Sequence, residues 1–284
     1  MKNIIVATKP NIGYYNILKQ SCKKNNIDLI TLGLGMKWDN FTLKFKLWKE
    51  YIFQLDDTEI VMINDAYDVI ILQDSNIILK KFKKFNKKIV FGIQSGFFND
   101  LLFAQPVKCT ENIICTGNII GYVKYLKKFI NKIYKYKKIW KELKYDDQEI
   151  VNNICSKEQS FFKKYTVIDK ERNIFFTTTG DDYYFIPYLF NRSIKDLYMK
   201  NGKILNKSNI EPSVLHLGGN IDGNKYLTYI GYNTTNLKLH GGYKILQVGN
   251  FAFILIRKYF HILFIIIFII YKIKSNYYKT KYLK

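Results

Sequence analysis

The hydrophobic pattern of the first hundred residues alternates between two periods. An apolar run over 3–7 predicts a buried strand, a loop follows at 9–13, and Tyr15, Leu18 and Cys22 at helical spacing predict a helix over 14–25. A second strand at 28–32 completes a β-α-β opening. Leu43, Leu47 and Phe53 place a helix over 43–54, and the dense apolar strand at 59–63 stops at Asn64-Asp65. A basic amphipathic helix over 77–85 and a strand over 88–93 follow. This rhythm predicts an α/β fold with a mostly parallel sheet covered by helices. The second half is less regular, with a strand near 113–114, helices over 121–139 and 146–158, then short strands and loops to about residue 245. No internal repeat is visible.

The pattern changes again at the end of the chain. Residues 251–271 are apolar apart from Arg257, Lys258 and His261, and a lysine-rich tail follows. The uninterrupted stretch 262–271 spans about 15 Å as a helix, against a hydrocarbon core of roughly 30 Å. Two readings stay open: a tail that lies in or crosses a membrane, or a buried amphipathic helix of the same domain. The expected division is a domain over 1–245 and a hydrophobic, lysine-rich tail over 246–284. The N-terminal apolar run breaks at Thr8 and Pro10, too soon for a secretory segment.

Composition removes several classes. The chain carries 45 Lys and Arg against 23 Asp and Glu, a formal charge of +22, yet it is 48% hydrophobic and 17% aromatic, which excludes a disordered polycation. Among the basic residues only Arg172, Arg192 and Arg257 are arginine. Lysine, Asn, Ile and Tyr all have A/T-rich codons, so genome composition accounts for the charge. A nucleic-acid reader would use Arg for bidentate contacts, and no nucleic-acid partner is expected. What remains is a positive surface that concentrates a phosphorylated donor or an anionic membrane. Four cysteines show no CxxC spacing and no His neighbour, so reduced thiols are the default expectation.

The segment Ile60-Val-Met-Ile-Asn-Asp65-Ala-Tyr67-Asp68 carries the sharpest chemistry. A buried strand ends by delivering two carboxylates three residues apart, at the carboxyl edge where parallel sheets bind ligands. Two such oxygens suit one hard cation, Mn²⁺ or Mg²⁺, that keeps positions open for phosphate oxygens. A strand-capping turn with solvated acids explains the same pattern equally well.

Several further segments join this turn in a known order: Val6-Ala-Thr8, Thr31-Leu-Gly-Leu-Gly-Met-Lys-Trp38, Thr116-Gly117-Asn118-Ile-Ile-Gly121, Asp146-Asp147-Gln148, Asn173-Ile-Phe-Phe and Val214-Leu-His216-Leu-Gly-Gly-Asn220. Over residues 3–233 the sequence resembles the glycosyltransferase domain of the procollagen lysyl hydroxylase (PLOD) family and its giant-virus relatives. The resemblance implies a GT-A type glycosyltransferase fold, with a Rossmann-like nucleotide-binding half and a mixed central sheet. It implies Mn²⁺, with Mg²⁺ as the substitute, held by Asp65, Asp68 and His216 and bridging the phosphates of UDP-glucose or UDP-galactose. Thr8 would bond the uridine, Trp38 would wall the nucleotide, and Tyr67 would contact base or ribose. Lys44 and Lys225 would offset diphosphate charge, and Asn118 and Gly219 would lie against the donor. Asp146 or Asp147 would position or deprotonate the acceptor hydroxyl, although acids at a helix start also serve as caps.

The departures fall toward sugar and acceptor. Gln94-Ser-Gly-Phe-Phe-Asn-Asp100 has Phe where the family has Trp, Cys115 replaces a usual Asn, and Leu217 and Asn220 alter the His-Gly run. No 2-oxoglutarate oxygenase domain is expected among the residues outside the resemblance. The expected activity is transfer of glucose or galactose to a hydroxyl, on hydroxylysine or galactosylhydroxylysine of a collagen-like protein or on a glycan. The competing expectation is a membrane-tethered binding or structural protein that keeps the fold without turnover.

Overall fold

Strand β1 (Lys2–Val6) sends alternate side chains to opposite faces, and both faces are dry. Ile4 and Val6 enter one apolar cluster, Ile5 and Ala7 another. That double burial makes the strand apolar throughout after Asn3, as a strand covered by helices on both sides must be. The computed structural model describes residues 1–94, 113–178, 193–218, 221–235, 237 and 268–272.

The chain continues through α1 (Tyr15–Lys24), β2 (Asp28–Leu32), α2 (Thr42–Ile52), β3 (Ile60–Asn64), β4 (Val69–Ile71), α3 (Ser75–Lys84) and β5 (Ile89–Ile93). It resumes with β6 (Ile114–Tyr122), α4 (Val123–Lys135), α5 (Asp147–Lys157), α6 (Gln159–Tyr165), β7 (Thr166–Ile168) and β8 (Phe175–Thr177). The hairpin of β9 (Leu197–Lys200) and β10 (Lys203–Asn206), then β11 (Val214–His216) and α7 (Asn224–Tyr229), follow.

The main sheet has the order β2-β1-β3-β6-β5-β7. Strands β2, β1 and β3 are mutually parallel, whereas β6 runs antiparallel to both β3 and β5, so the sheet is mixed. On one face α2, α4 and α5 bury Phe45, Trp48, Phe129, Ile130 and Ile154. On the other, α1 and α3 bury Leu18, Cys22, Ile78 and Phe82. Each fully buried side chain of this size stabilises the fold by roughly 1.5–3 kcal/mol.

A three-stranded sheet, β4-β11-β8, packs on its own apolar cluster around Ile70, Phe176, Leu215 and Tyr226. Here β11 is antiparallel to β4 and parallel to β8.

The expected strand near 113–114 proves to be the start of a nine-residue strand, and the expected helix over 121–139 begins only at Val123. Cys22 and Cys115 are free and buried, as expected of reduced thiols, whereas Cys155 is disulfide-bonded, which corrects that expectation at this one position.

The chain divides into the compact units Met1–His240 and Gly241–Lys284. The apolar segment expected at 251–271 lies outside the described residues except for 268–271, which are helical and exposed. Among the described residues no helix is long and apolar enough to cross a membrane.

Candidate active site

Adjacent parallel strands β1 and β3 lead away to opposite sides of the sheet, and the chain leaves a crevice beyond their carboxyl ends. Thr8 lies just past β1 and Asp65 just past β3. The Asp65 N–H donates to Gly117 O at 3.1 Å, which holds the start of the acidic turn against β6. The chain then turns through Ala66 and Tyr67 and returns as β4. Two contacts bring the late strand to this turn: Val69 pairs with His216 in the β4–β11 register, and the Leu217 N–H donates to Asp68 O at 2.7 Å.

As a result His216 Nε2 lies 3.6 Å from Asp65 Oδ2 and 3.4 Å from Asp68 Oδ1. One ligand atom from each of the three residues lies within 4.8 Å of the others. Two ligands on one small cation, each at about 2.2 Å, stand no farther apart than roughly 4.4 Å, and both imidazole distances satisfy that. Two carboxylates and an imidazole are a donor set that Mn²⁺ accepts.

Strand β6 makes room for the cluster. Its pairing with β5 shifts register between Phe91 and Gly92, so Thr116, Gly117 and Asn118 form a bulge. A Cβ on Gly117 would collide with the Asp65 carboxylate and come within 2.7 Å of His216 Cε1. Glycine there lets the strand lie directly against two of the three candidate ligands. Gly13, at φ +55°, plays the matching part on the other side, where a Cβ would strike the Tyr67 carbonyl oxygen.

Electrostatically the site is a chain of opposite charges. Lys44, on α2 and 8% exposed, sets Nζ 2.6 Å from Asp65 Oδ1 and 2.9 Å from Asp147 Oδ2. Burial alone would lower its pKa, but the Asp147 and Asp65 charges outweigh burial and raise it, so the ammonium stays protonated. Asp147 also accepts from Thr116 Oγ1 at 2.9 Å. Asp146 is the N-cap of α5, accepting from the Glu149 N–H at 2.9 Å. Burial pushes its carboxyl pKa up despite that bond. Of the roles expected of the acidic pair the cap falls to Asp146, while Asp147 stands in a buried ion pair that the sequence did not suggest. At His216 burial opposes the imidazolium, yet the facing Asp68 carboxylate and Cys115 prevail and raise its pKa well above 6.5.

A cavity of about 700 Å³ opens over this cluster, and its wall includes Thr8, Trp38, Lys44, Asp65, Tyr67, Asp68, Asp146, Asp147 and His216. Trp38 is 39% exposed and meets Phe41 edge-on, with ring centroids 5.5 Å apart. The Tyr67 hydroxyl accepts from the N–H groups of Thr8 and Lys9 at 3.1 Å each and donates to Lys9 O at 3.0 Å. Those bonds fill its capacity, so Tyr67 offers the cavity its ring.

Two expected donor contacts stand elsewhere. Asn118 is fully buried behind His216 and is absent from the cavity wall. Lys225 is also absent from that wall and donates to Ser193 Oγ at 3.0 Å. Gly219 lies outside the described residues. Asn152 and Asn153 line the wall without having been expected to, and Gln94 and Gln148, which fall in segments compared with the family, line it with no role of their own assigned. No spacing signal would have found Asn152 and Asn153, which are single amides in a lysine- and asparagine-rich chain.

Residues 1–236 match the family described as the PLOD GT domain. Human procollagen-lysine,2-oxoglutarate 5-dioxygenase 2 is 30% identical over 142 residues, 45% of this chain and 19% of the relative. The Caenorhabditis elegans multifunctional procollagen lysine hydroxylase and glycosyltransferase is 27% identical over 261 residues, 83% of this chain and 34% of the relative. The chain therefore spans only 19% to 34% of the length of these relatives. Among solved structures, the galactosyltransferase LgtC in complex with donor and acceptor sugar analogues superposes with a TM-score of 0.50 at 15% identity. That likeness covers 83% of this chain and 97% of LgtC, and it is one of fold: α/β with a mixed central sheet, of the GT-A kind. With the family match running from the first residue through the strand that carries His216, the chain belongs to the PLOD glycosyltransferase-domain family.

Proposed function

We propose that the protein transfers glucose or galactose from a UDP-sugar to a hydroxyl group, with Asp65, Asp68 and His216 holding Mn²⁺, or Mg²⁺ in its place. The observation that carries this reading is the convergence of those three side chains on one small volume at the cavity wall. A bound divalent ion would neutralise charge as it gathers on the departing diphosphate.

The remaining roles belong to the chain itself. Thr8 and the Tyr67 ring stand at the end of β1 and the acidic turn, where a nucleoside would rest, and Trp38 supplies an apolar wall. Lys44 ties Asp65 on the donor side to Asp147 on the far side, so a shift in one carboxylate is felt by the other. Asp147 would accept the hydrogen bond of the incoming hydroxyl and orient it, with Thr116 and Lys44 fixing the carboxylate. Asp146, whose proton affinity is raised, is the second candidate for that proton.

The acceptor proposed is hydroxylysine or galactosylhydroxylysine of a collagen-like protein, or a glycan hydroxyl. Residues 246–284 are proposed as a tail outside the catalytic domain, with 251–271 as the part that meets a membrane.

The test is UDP release from UDP-glucose, UDP-galactose and other UDP-sugars, with and without Mn²⁺, using collagen-like peptides as acceptors. Mn²⁺-dependent release from a hexose donor supports the proposal. Tight UDP binding with no release, to peptide or to water, would support the turnover-free scaffold instead.

A further inference from the structure

Asn118 is fully buried, and its amide lies between His216 and Thr177. Its Nδ2 is 3.0 Å from His216 Nδ1 and 2.7 Å from Thr177 Oγ1, while its Oδ1 is buried without a partner. In this orientation the amide donates to Nδ1. A neutral ring then carries its own proton on Nε2, the nitrogen that faces Asp65 and Asp68. Such a tautomer has no lone pair to offer a cation at that position.

The two ends of a carboxamide have nearly the same shape, so the amide occupies the same space when turned over. Its Oδ1 then faces His216 Nδ1, and the Thr177 hydroxyl rotates to donate to it. The unpartnered oxygen gains two donors, and the NH₂ group takes its former place. The neighbouring sulfur of Cys115, 3.6 Å from Nδ1, is the other acceptor within reach and a weak one. Histidines that ligate metals generally donate their second ring N–H to an acceptor, which fixes both tautomer and ring orientation.

We infer that Asn118 is a positioning residue whose Oδ1 accepts the Nδ1–H of His216, with Thr177 steadying the amide, so that Nε2 is presented to the cation. The inference rests on the proposed metal site. It also gives Asn118 a place one layer behind that site, which agrees with its absence from the cavity wall.

The experiment is a titration of the full chain with Mn²⁺ alone, following free Mn²⁺ by electron paramagnetic resonance, for wild type, Asn118→Asp and Asn118→Leu. Asn118→Asp keeps an acceptor and is expected to bind within about threefold of wild type, whereas Asn118→Leu is expected to lose about 10- to 100-fold. A second readout needs no variant at the position. In ¹⁵N-histidine-labelled wild type loaded with diamagnetic Mg²⁺, the His216 signals, identified by their loss in His216→Gln, should show a protonated Nδ1 and an unprotonated Nε2. Equal Mn²⁺ affinity in wild type and Asn118→Leu, equal loss in both variants, or a protonated Nε2 in the loaded protein would overturn the inference while leaving the metal site standing. Wild type that binds no Mn²⁺ would overturn both.

Discussion

Lys44 Nζ and Asp147 Oδ2 lie 2.9 Å apart, both side chains almost wholly buried, although one stands on α2 and the other at the first position of α5. The same ammonium reaches Asp65, so a single cation joins the carboxylate expected to hold metal to the one expected to meet the acceptor.

Removing Lys44 therefore leaves the buried Asp147 carboxylate without its counter-charge. Lys44→Met is expected to lower stability by about 3–5 kcal/mol, the usual cost of breaking a buried pair. In the Lys44→Met/Asp147→Asn double variant the loss should be smaller than in Lys44→Met. Urea unfolding of both variants measures it. A loss under 1 kcal/mol in Lys44→Met, an effect typical of exposed pairs, would contradict the burial argument.

Gly117→Ala should act on binding more than on folding. Its Cβ meets the Asp65 carboxylate and the His216 ring rather than the core. The expected outcome is a large loss of Mn²⁺ affinity with a stability change of about 1–3 kcal/mol, as for local overpacking. Unchanged Mn²⁺ binding in a folded Gly117→Ala protein would show that the three side chains do not act together.

Away from the cavity, Glu158 accepts from Lys132 at 2.7 Å, Lys135 at 2.6 Å and the Tyr136 hydroxyl at 3.1 Å. The bonds from Lys132 and then Lys135 bring its pKa down to about 2, against an ordinary value of 4.5. The folded state thus holds this proton more weakly than the unfolded chain. The stabilisation is complete above about pH 5 and disappears as pH falls toward 2. Glu158→Gln should cost about 1–2 kcal/mol near neutral pH, the scale of a hydrogen bond to a charged group. The gap between wild type and variant should narrow below pH 4.5, as followed by unfolding at each pH. A gap that is constant from pH 7 to pH 2 would refute the assignment.

Truncation tests the domain boundary. Removing residues after Lys244 is expected to leave a soluble protein that binds UDP as the full chain does. Aggregation of the shortened chain, or loss of UDP binding, would place the removed segment in the catalytic domain.

How far the sequence could be read depended on the range of the contacts. The strands β1, β2, β3 and β5 and the helices between them were legible because each is a local period with an apolar face or an apolar run. Of strand β6 only the start was, because Gly117 and Gly121 interrupt its pattern, and glycine within a strand reads as a turn. In the structure those glycines mark close approach: to Asp65 and His216 at one, and to the Lys88 backbone at the other. The pairing of β4 with β11 was legible only through the family resemblance, since no local signal joins Val69 to His216. Asn118 was placed against the donor by the family resemblance alone, with no local signal to say which way its amide turns. Strand periodicity gives no warning of a bulge, so the face an amide turns to cannot be read through one.

The central claim is that Asp65, Asp68 and His216 form a metal site through which the domain binds UDP. The most direct measurement is calorimetry of UDP binding, with and without Mn²⁺, to wild type, Asp65→Ala and Asp68→Ala. The account predicts Mn²⁺-dependent UDP binding in wild type and its loss in both variants, with thermal unfolding still cooperative because both side chains sit on the turn outside the core clusters. UDP affinity that is unchanged in both variants, or indifferent to Mn²⁺ in the wild type, would contradict it.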